Sequence, residues 1–473
     1  MSQNDAVHRS SNPPGILRLA APLIFSFWLR AAFTLVDRFF AGSLEDQDFG
    51  SLADASQAAI GLTTPIEFLM IACWVGTSNG LTKRLSEAMG QGASAKIAQL
   101  RAASVRITLV LAAVFLVLAA VIWFAPTVFA PADEPDVVQQ FQIYASVLIG
   151  GWALTMFWSI LPDSIVKAHH DTKTTMWAGL ISSFLNVGLN YLFVFEFGLG
   201  IFGIAFSSVI GRFGGLGYAW YRANQHERRR LDSEETPDTA RFESALRVIL
   251  AIAVPSGLTY VLMGFEGLAI NTILRGTEDA KTALAAWSVF DGLGRFFLMP
   301  PIAIGVALLP LVARWRGAGA TVVALQREVR LAIVAAVVYA VVLVGPLAWL
   351  SIDLVVPHLI DEPLSERWAA LGMLWLPAAV LFNGIAIAVR PLFDAYDRPK
   401  SGLGISAVRS IAVTIPLFLA GGAIAKATGH DVIVGYYAAA VLSGVVGAVI
   451  TCAALARIGA LAFRAPKDVG SAA

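Results

Sequence analysis

ILRLAAPLIFSFWLRAAFTLVDRFFA, residues 16–41, is the stretch whose reading decides the fold. It is long enough to cross a bilayer, which takes about 20 mostly apolar residues. Past its first turn, three residues are charged: Arg30, Asp37 and Arg38. Arg30 and Asp37 are seven positions apart, roughly 700° of helical turn, so they leave the helix on nearly the same face. Charges are costly in hydrocarbon, and those that persist usually face a bundle interior or an ion path. Arg38 is close enough to the end of the stretch to snorkel out. Two roles stand open for Asp37: a switchable proton or cation site, or half of an ion pair with Arg30.

The rest of the chain repeats the pattern. Apolar runs lie near 16–41, 58–82, 105–130, 138–166, 174–196, 200–221, 247–274, 283–312, 331–357, 368–392, 402–425 and 432–456. The 473 residues are 57% hydrophobic and 14% charged, with a mean hydropathy of +0.71. A soluble domain carries roughly 25% charged residues. An all-α polytopic membrane protein with twelve spans is predicted, with no room for a large soluble domain. Long continuous runs exclude a closed barrel of short alternating strands. Pro22, Pro65, Pro255, Pro300 and Pro377 fall inside runs and predict kinks. Cys73 and Cys452 both sit in apolar runs, so no disulfide framework is expected. The polar opening MSQNDAVHRSSNPPG lacks the apolar core of a secretory signal, which leaves targeting to the first span.

Lys and Arg set the orientation. With the N-terminus cytoplasmic, most of the 34 basic residues fall in cytoplasmic tails, loops and helix ends. Arg38, Arg275, Lys281, Arg367 and Lys426 fall outside, and Arg30, Arg212 and Arg295 within spans. Both termini are therefore expected inside. Residues 1–15 and 458–473 read as cytoplasmic tails, and 222–246, rich in charge, as a solvated cytoplasmic linker. The linker separates 16–221 from 247–457, each with six runs, and the two segments echo one another. Ala20-Ala21-Pro22 recurs as Ala253-Val254-Pro255. Gly90 and Gly92 recur as Gly317 and Gly319, and Ala168 and Lys173 recur at the same offset as Ala395 and Lys400. Six runs per half bring both halves in from the same side. The prediction is two six-helix lobes related by a pseudo-two-fold axis along the membrane normal, a plan common among secondary transporters.

Helix depth sorts the polar residues of the spans. Asp37, Asn186 and Asn190 fall at similar depth in the outer part of the first half, with the two asparagines one turn apart on one face. A carboxylate with amide oxygens suits a carried proton or a weakly held sodium ion; the asparagines alone would serve equally as glue between helices. Burial raises a carboxyl pKa and a nearby Arg30 opposes that shift. Nearer mid-membrane lie Glu67, Glu266, and the i, i+4 pair Asp291 and Arg295, which can neutralise each other. Glu67 and Glu266 have no partner evident in the sequence and are candidates for a cationic substrate or a second proton. Asp163 and Lys167 form another i, i+4 pair, structural or a gate contact. Phe25, Trp28, Phe68, Trp152, Phe157 and Trp158 could line an aromatic cavity, although aromatic stripes at helical spacing usually pack. HExxH, GxxxxGK[ST], GxSxG and clustered Cys/His sets are all missing, so an enzyme is not expected. Transport would draw on an ion gradient.

Several motifs resemble one family. Pro22 followed by Val36-Asp37-Arg38-Phe39-Phe40-Ala41-Gly42 is similar to the first-helix pattern of the multidrug and toxic compound extrusion (MATE) family. Gly76-Thr77-Ser78-Asn79-Gly80 leading to Gly90-Gln91-Gly92, and Leu185-Asn186 through Asn190-Tyr191, resemble its second and fifth helices. The resemblance implies twelve helices and export of amphipathic, often cationic, small molecules in exchange for protons or sodium. It puts the cation or proton site at Asp37, with Asn186 and Asn190 beside it. The tenth-helix acid of the family's sodium-linked branch falls on Asn383, which makes the damage-inducible type the nearer pattern. Expected partners are such small molecules and the inner-membrane bilayer, not nucleic acid. A monomer is expected, with no cofactor beyond the coupling ion and no resident metal. A flippase for a lipid-linked envelope precursor is the alternative, and it needs a basic cavity.

Overall fold

The computed structural model describes residues 15–42, 52–232, 240–360 and 362–462, and for 30–39, 42, 52 and 53 the backbone alone. Among the described residues, twelve long helices follow one another: α1 Ile16–Gly42, α2 Leu52–Gln91, α3 Ser94–Phe124, α4 Pro135–Ala168, α5 Thr172–Glu196, α6 Gly200–Asp232, α7 Ala245–Arg275, α8 Ala280–Gly317, α9 Val322–Leu354, α10 Pro363–Ala395, α11 Pro399–Ala427 and α12 Val432–Arg457. Eleven are long and apolar enough to cross a membrane, and α1 spans 27 residues. Ten of the twelve apolar runs lie wholly in one helix, whereas 105–130 and 331–357 run past the ends of α3 and α9, and most helices overshoot their run. Hydropathy marks only the oily middle, whereas hydrogen bonding carries a helix on until a cap or a turn residue stops it. Gly92 (φ +69°) turns the chain after α2 and Gly319 (φ +74°) after α8. Asp171, Ser244 and Thr321 cap α5, α7 and α9 by accepting from the amides of Thr174, Arg247 and Ala324.

Proline leaves a local mark. α9 widens to a π-segment over Ala340–Val344, just before Pro346, and α11 over Val408–Thr414, just before Pro416. A ring nitrogen cannot close the usual backbone bond, and the turn before it relaxes to wider spacing. Side chains such as Val117, Phe124, Val342 and Trp349 are exposed on the outside of the bundle, where hydrocarbon would meet them.

Successive helices reverse direction, so the start of α1 and the finish of α12 lie at one end of the bundle, hereafter the terminal end; there Ile16 N donates to Glu328 and Gln326 to the Gly459 carbonyl. There the two halves of the chain cross. α1 packs on α8 through Leu19, Ala20 and Leu23 against Ala303, Ala307 and Leu308. α2 packs on α7 and α8. Gly76 and Gly80 meet Ala253 and Gly257, small residues at four-residue spacing on both helices; a Cβ on Gly76 would stand 2.4 Å from the Ala253 carbonyl oxygen. A Cβ on Gly90 would come within 2.2 Å of the Arg314 carbonyl oxygen, and one on Gly317 within 2.3 Å of that of Glu87. The two contacts are the same contact made twice, since Glu87 and Arg314, like Gly90 and Gly317, are equivalent positions of the repeat.

The expected linker does not begin at residue 222. α6 continues to Asp232, and Glu227, 3% exposed, is held by Arg101, His169 and Arg230. Arg222 and His226 bond Asp171 at 3.0 and 2.8 Å. The segment is rich in good helix formers, and the carboxylates of neighbouring elements pair with its basic residues, which is why charge alone misreads it.

Gly90→Ala and Gly317→Ala should each destabilise the protein by about 1–3 kcal/mol, as overpacking does elsewhere, seen as a lowered melting temperature in detergent. Gly217→Ala, with open space around the added carbon, should raise it slightly, as alanine in place of glycine does inside a helix.

Candidate functional site

Asp37 and Arg30 lie on α1, and their side chains are outside the described residues, as is the expected Asp37–Arg30 contact. α1 packs on α5, the helix of Asn186 and Asn190. Asn190 is fully buried and accepts from Ser207 Oγ of α6. Asn186 Nδ2 donates to Ser208 Oγ at 2.8 Å and lies 3.5 Å from Ser207 Oγ. The two amides therefore sit side by side on one helix face, as the spacing predicts, and tie α5 to α6. Arg212 of α6 stands over the Trp152 ring of α4, 3.8 Å from its centroid.

The aromatic residues separate. Phe25 is exposed, and Trp28 is half-buried between Phe296 and Tyr339, 6.1 and 6.2 Å away. Phe68 is half-buried on α2 with its ring against Gly264 of α7. Phe157 has no exposed area and packs on Phe115 in the core of the first half, so it does not line a cavity. Trp152 is buried in that same core with Arg212 on its face. Helical spacing cannot tell the two sides of a core helix apart.

In the second half, Asp291 and Arg295 pair at 2.5 Å, as their spacing predicts. They line a cleft between α7 and α8 with Asn271 and Arg275, towards the end of the bundle opposite the termini. Glu67 is half-buried on α2. Glu266, expected to have no evident partner, has one: Arg409 of α11 bonds it at 2.6 Å, and Ser410 donates to the same oxygen. Arg409 also donates to Asn383 Oδ1 at 3.1 Å. Arg409 thus corrects the charge map: it is a fourth arginine inside the spans, not a cytoplasmic one. Its place seven residues into the run 402–425 is signal enough to find it.

A third constellation closes the terminal end. Lys83 of α2, fully buried, bonds Glu87 and Asp397, each at 2.7 Å. Arg84 joins Asp397 at 2.9 Å and Glu87 at 3.0 Å. Asp397 follows α10, so these bonds join the halves. From the other side Arg314 of α8 donates to the Ala168 carbonyl at 2.8 Å, and His170 packs beside Arg314. His170 and Asp397, both at φ 59°, are the non-glycine residues of positive φ among those described, and they too are equivalent positions of the repeat. Each connector, α4–α5 and α10–α11, thus reaches across to the opposite half. Asp163 and Lys167 pair at 2.5 Å, and Ser78 and Thr175 both donate to Asp163. The equivalent positions hold Arg390 and Asp394, paired at 3.5 Å with the charges exchanged. The offset that relates Gly90 to Gly317, applied to Asp163 and Lys167, locates this second pair in the sequence.

Comparison with known proteins agrees with this geometry. Residues 22–192 match the family model described as MatE. A probable multidrug resistance protein NorM of Thermotoga maritima is 23% identical over 312 residues, which span 64% of this chain and 63% of that protein. Among solved structures, a mutant of the Vibrio cholerae MATE transporter VcmN superposes with a TM-score of 0.79 at 20% identity, covering 93% of this chain and 96% of that one. An outward-facing multidrug resistance MATE family transporter of the MOP superfamily gives 0.77 at 18% identity, over 94% of this chain and 95% of that one. A MOP superfamily transporter of Pyrococcus furiosus gives 0.75 at 16%, over 94% and 96%. Over the 93–94% of the chain that superposes, the fold is the MATE fold.

Burial, then the charge of Arg314, pushes the His170 ring down to about 4 from an ordinary 6.5. The unfolded chain therefore takes up this proton first, and stability falls as pH drops from about 6.5 to about 4, by on the order of 3 kcal/mol at most. His170→Asn, which tolerates the positive φ, should flatten that part of the melting temperature against pH curve.

Proposed function

We propose that the chain is a MATE-family transporter, a cation-coupled antiporter of the damage-inducible type. It exchanges protons or sodium for amphipathic, often cationic, small molecules by alternating access. The observation that carries this reading is the clasp at the terminal end. Two halves that repeat one another are bonded together there through ion pairs and glycine contacts, while a polar cleft lies towards the other end. A repeat of this kind can swap which end is closed by rocking one half on the other. The halves, 16–221 and 247–457, act as the two lobes. The concentration of Lys and Arg at the terminal end supports a cytoplasmic placement of that end, in the inner membrane. In this orientation the described state is closed to the cytoplasm.

Asp37 is the coupling residue in this reading, and Asn186 and Asn190 position α5 beside it. A carboxylate within a membrane span that changes charge alters the cost of its surroundings by several kcal/mol, enough to shift a two-state balance. The flippase alternative draws less support. It needs unpaired basic groups in the spans; of those with described side chains, Arg295 is bonded to Asp291, Arg409 to Glu266, and Arg212 stands over the Trp152 ring, while the Arg30 side chain lies outside the described residues.

Reconstituted protein should move a cationic dye when a proton or sodium gradient is imposed, and not under a lipid-linked precursor alone. Asp37→Asn should reduce dye exchange at least about tenfold, equivalent to roughly 1.4 kcal/mol or more. Unchanged exchange would remove Asp37 from the mechanism. Asn186→Leu or Asn190→Leu should change the dependence on the driving cation, and an unaltered dependence would leave both as packing.

A further inference from the structure

Four helices of the second half meet at one polar point inside the membrane. Glu266 comes from α7, Asn383 from α10, Arg409 and Ser410 from the π-segment of α11, and α12 supplies space. A Cβ on Gly447 would stand 2.6 Å from Arg409 Cδ, and one on Gly444 2.8 Å from Asn383 Nδ2. Thr414 accepts from or donates to Ser443 of α12 at 2.5 Å and donates to the Arg409 carbonyl at 3.0 Å. The π-segment places neighbours Arg409 and Ser410 on the same carboxylate oxygen, Oε2 of Glu266.

Without the guanidinium, this is a set of oxygens suited to a small monovalent cation: a carboxylate, an amide oxygen and a hydroxyl, within the membrane-spanning part of the bundle. Arg409 fills it. Its Nη2 is 2.6 Å from Glu266 and its Nη1 3.1 Å from Asn383. A free ion would have to displace a group tethered to the chain at very high effective concentration, and the displaced arginine would be left buried and unpaired.

We propose that Arg409 is a tethered cation occupying the Glu266–Asn383–Ser410 pocket, so that no free ion loads in the second half and ion choice is set in the first. The proposal rests on the antiport reading for its functional meaning, but the pocket can be tested without transport. Arg409→Met is purified beside wild type, Glu266→Gln and the double variant Glu266→Gln/Arg409→Met. Melting temperatures are compared in sodium chloride and choline chloride at equal ionic strength.

Arg409→Met should gain a sodium-specific rise of about 3 °C or more, the size that ligand linkage gives when the ion is well above its dissociation constant. The double variant should lose that gain, and Glu266→Gln should leave the wild-type sodium response unaltered. Arg409→Gln, which keeps a polar group beside Asn383, takes the same test if the methionine variant does not survive extraction. A folded variant without sodium response would overturn the proposal and leave Arg409 as a pin between helices. So would a wild-type sodium response abolished by Glu266→Gln. Dye exchange by the wild type is a separate readout, so failure of the antiport reading shows independently.

Discussion

The structure depends on how closely α2 and α8 cross at Gly90 and Gly317. Each glycine lies under a backbone carbonyl of the other helix, and neither position has room for a Cβ. The contact is made twice, once from each half, because the halves repeat. That closeness brings Lys83 and Arg84 within reach of Asp397, and Arg314 within reach of Ala168. Lysine is costly to bury, and Lys83 is tolerated because two carboxylates meet its ammonium hydrogens. Opening the terminal end would hydrate all of these groups at once. Part of the lost bonding would be recovered as hydration, which keeps such a clasp reversible.

Among the described residues, charge within each half is mostly self-neutralised. Asp163 with Lys167, Arg390 with Asp394, Asp291 with Arg295 and Glu266 with Arg409 are pairs made within a half. Reversal of sign between the equivalent pairs 163/167 and 390/394 leaves the geometry of the repeat intact while its chemistry diverges. The polar amides of the first half bond hydroxyls instead: Asn186 and Asn190 meet Ser207 and Ser208. The polar side chains of the two halves thus differ although their backbones correspond.

Twelve apolar runs are legible because each span must satisfy its own backbone bonds in lipid, which forces one helix per run. The repeat is legible where its residues do a backbone job, as at Gly90, Gly92 and their partners. Helix ends are less so, since polar residues such as Arg222 and Glu227 extend a helix without raising hydropathy. The clasp is hidden because Lys83 and Asp397 are 314 residues apart and nothing local marks them as partners. Glu266 is recognisable as an intramembrane acid and Arg409 as a charge inside a span, but nothing local marks the two, 143 residues apart, as partners. Asn186 and Asn190 fall on one face by a count of residues alone. Phe157 shows the limit of that count, for a residue at cavity spacing turns out to face the core.

Rocking of the two halves, so that one end closes as the other opens, is the motion on which the transport reading stands. Spin labels at Gln91 and Val323 report the terminal end, and labels at Asp133 and Lys281 the far end. Electron–electron distances in liposomes, with and without substrate and an imposed ion gradient, measure both. Rocking predicts two distance populations at each end that shift in opposite directions, the terminal pair lengthening as the far pair shortens. A single, unmoved population at the terminal end under every condition that drives exchange would contradict it.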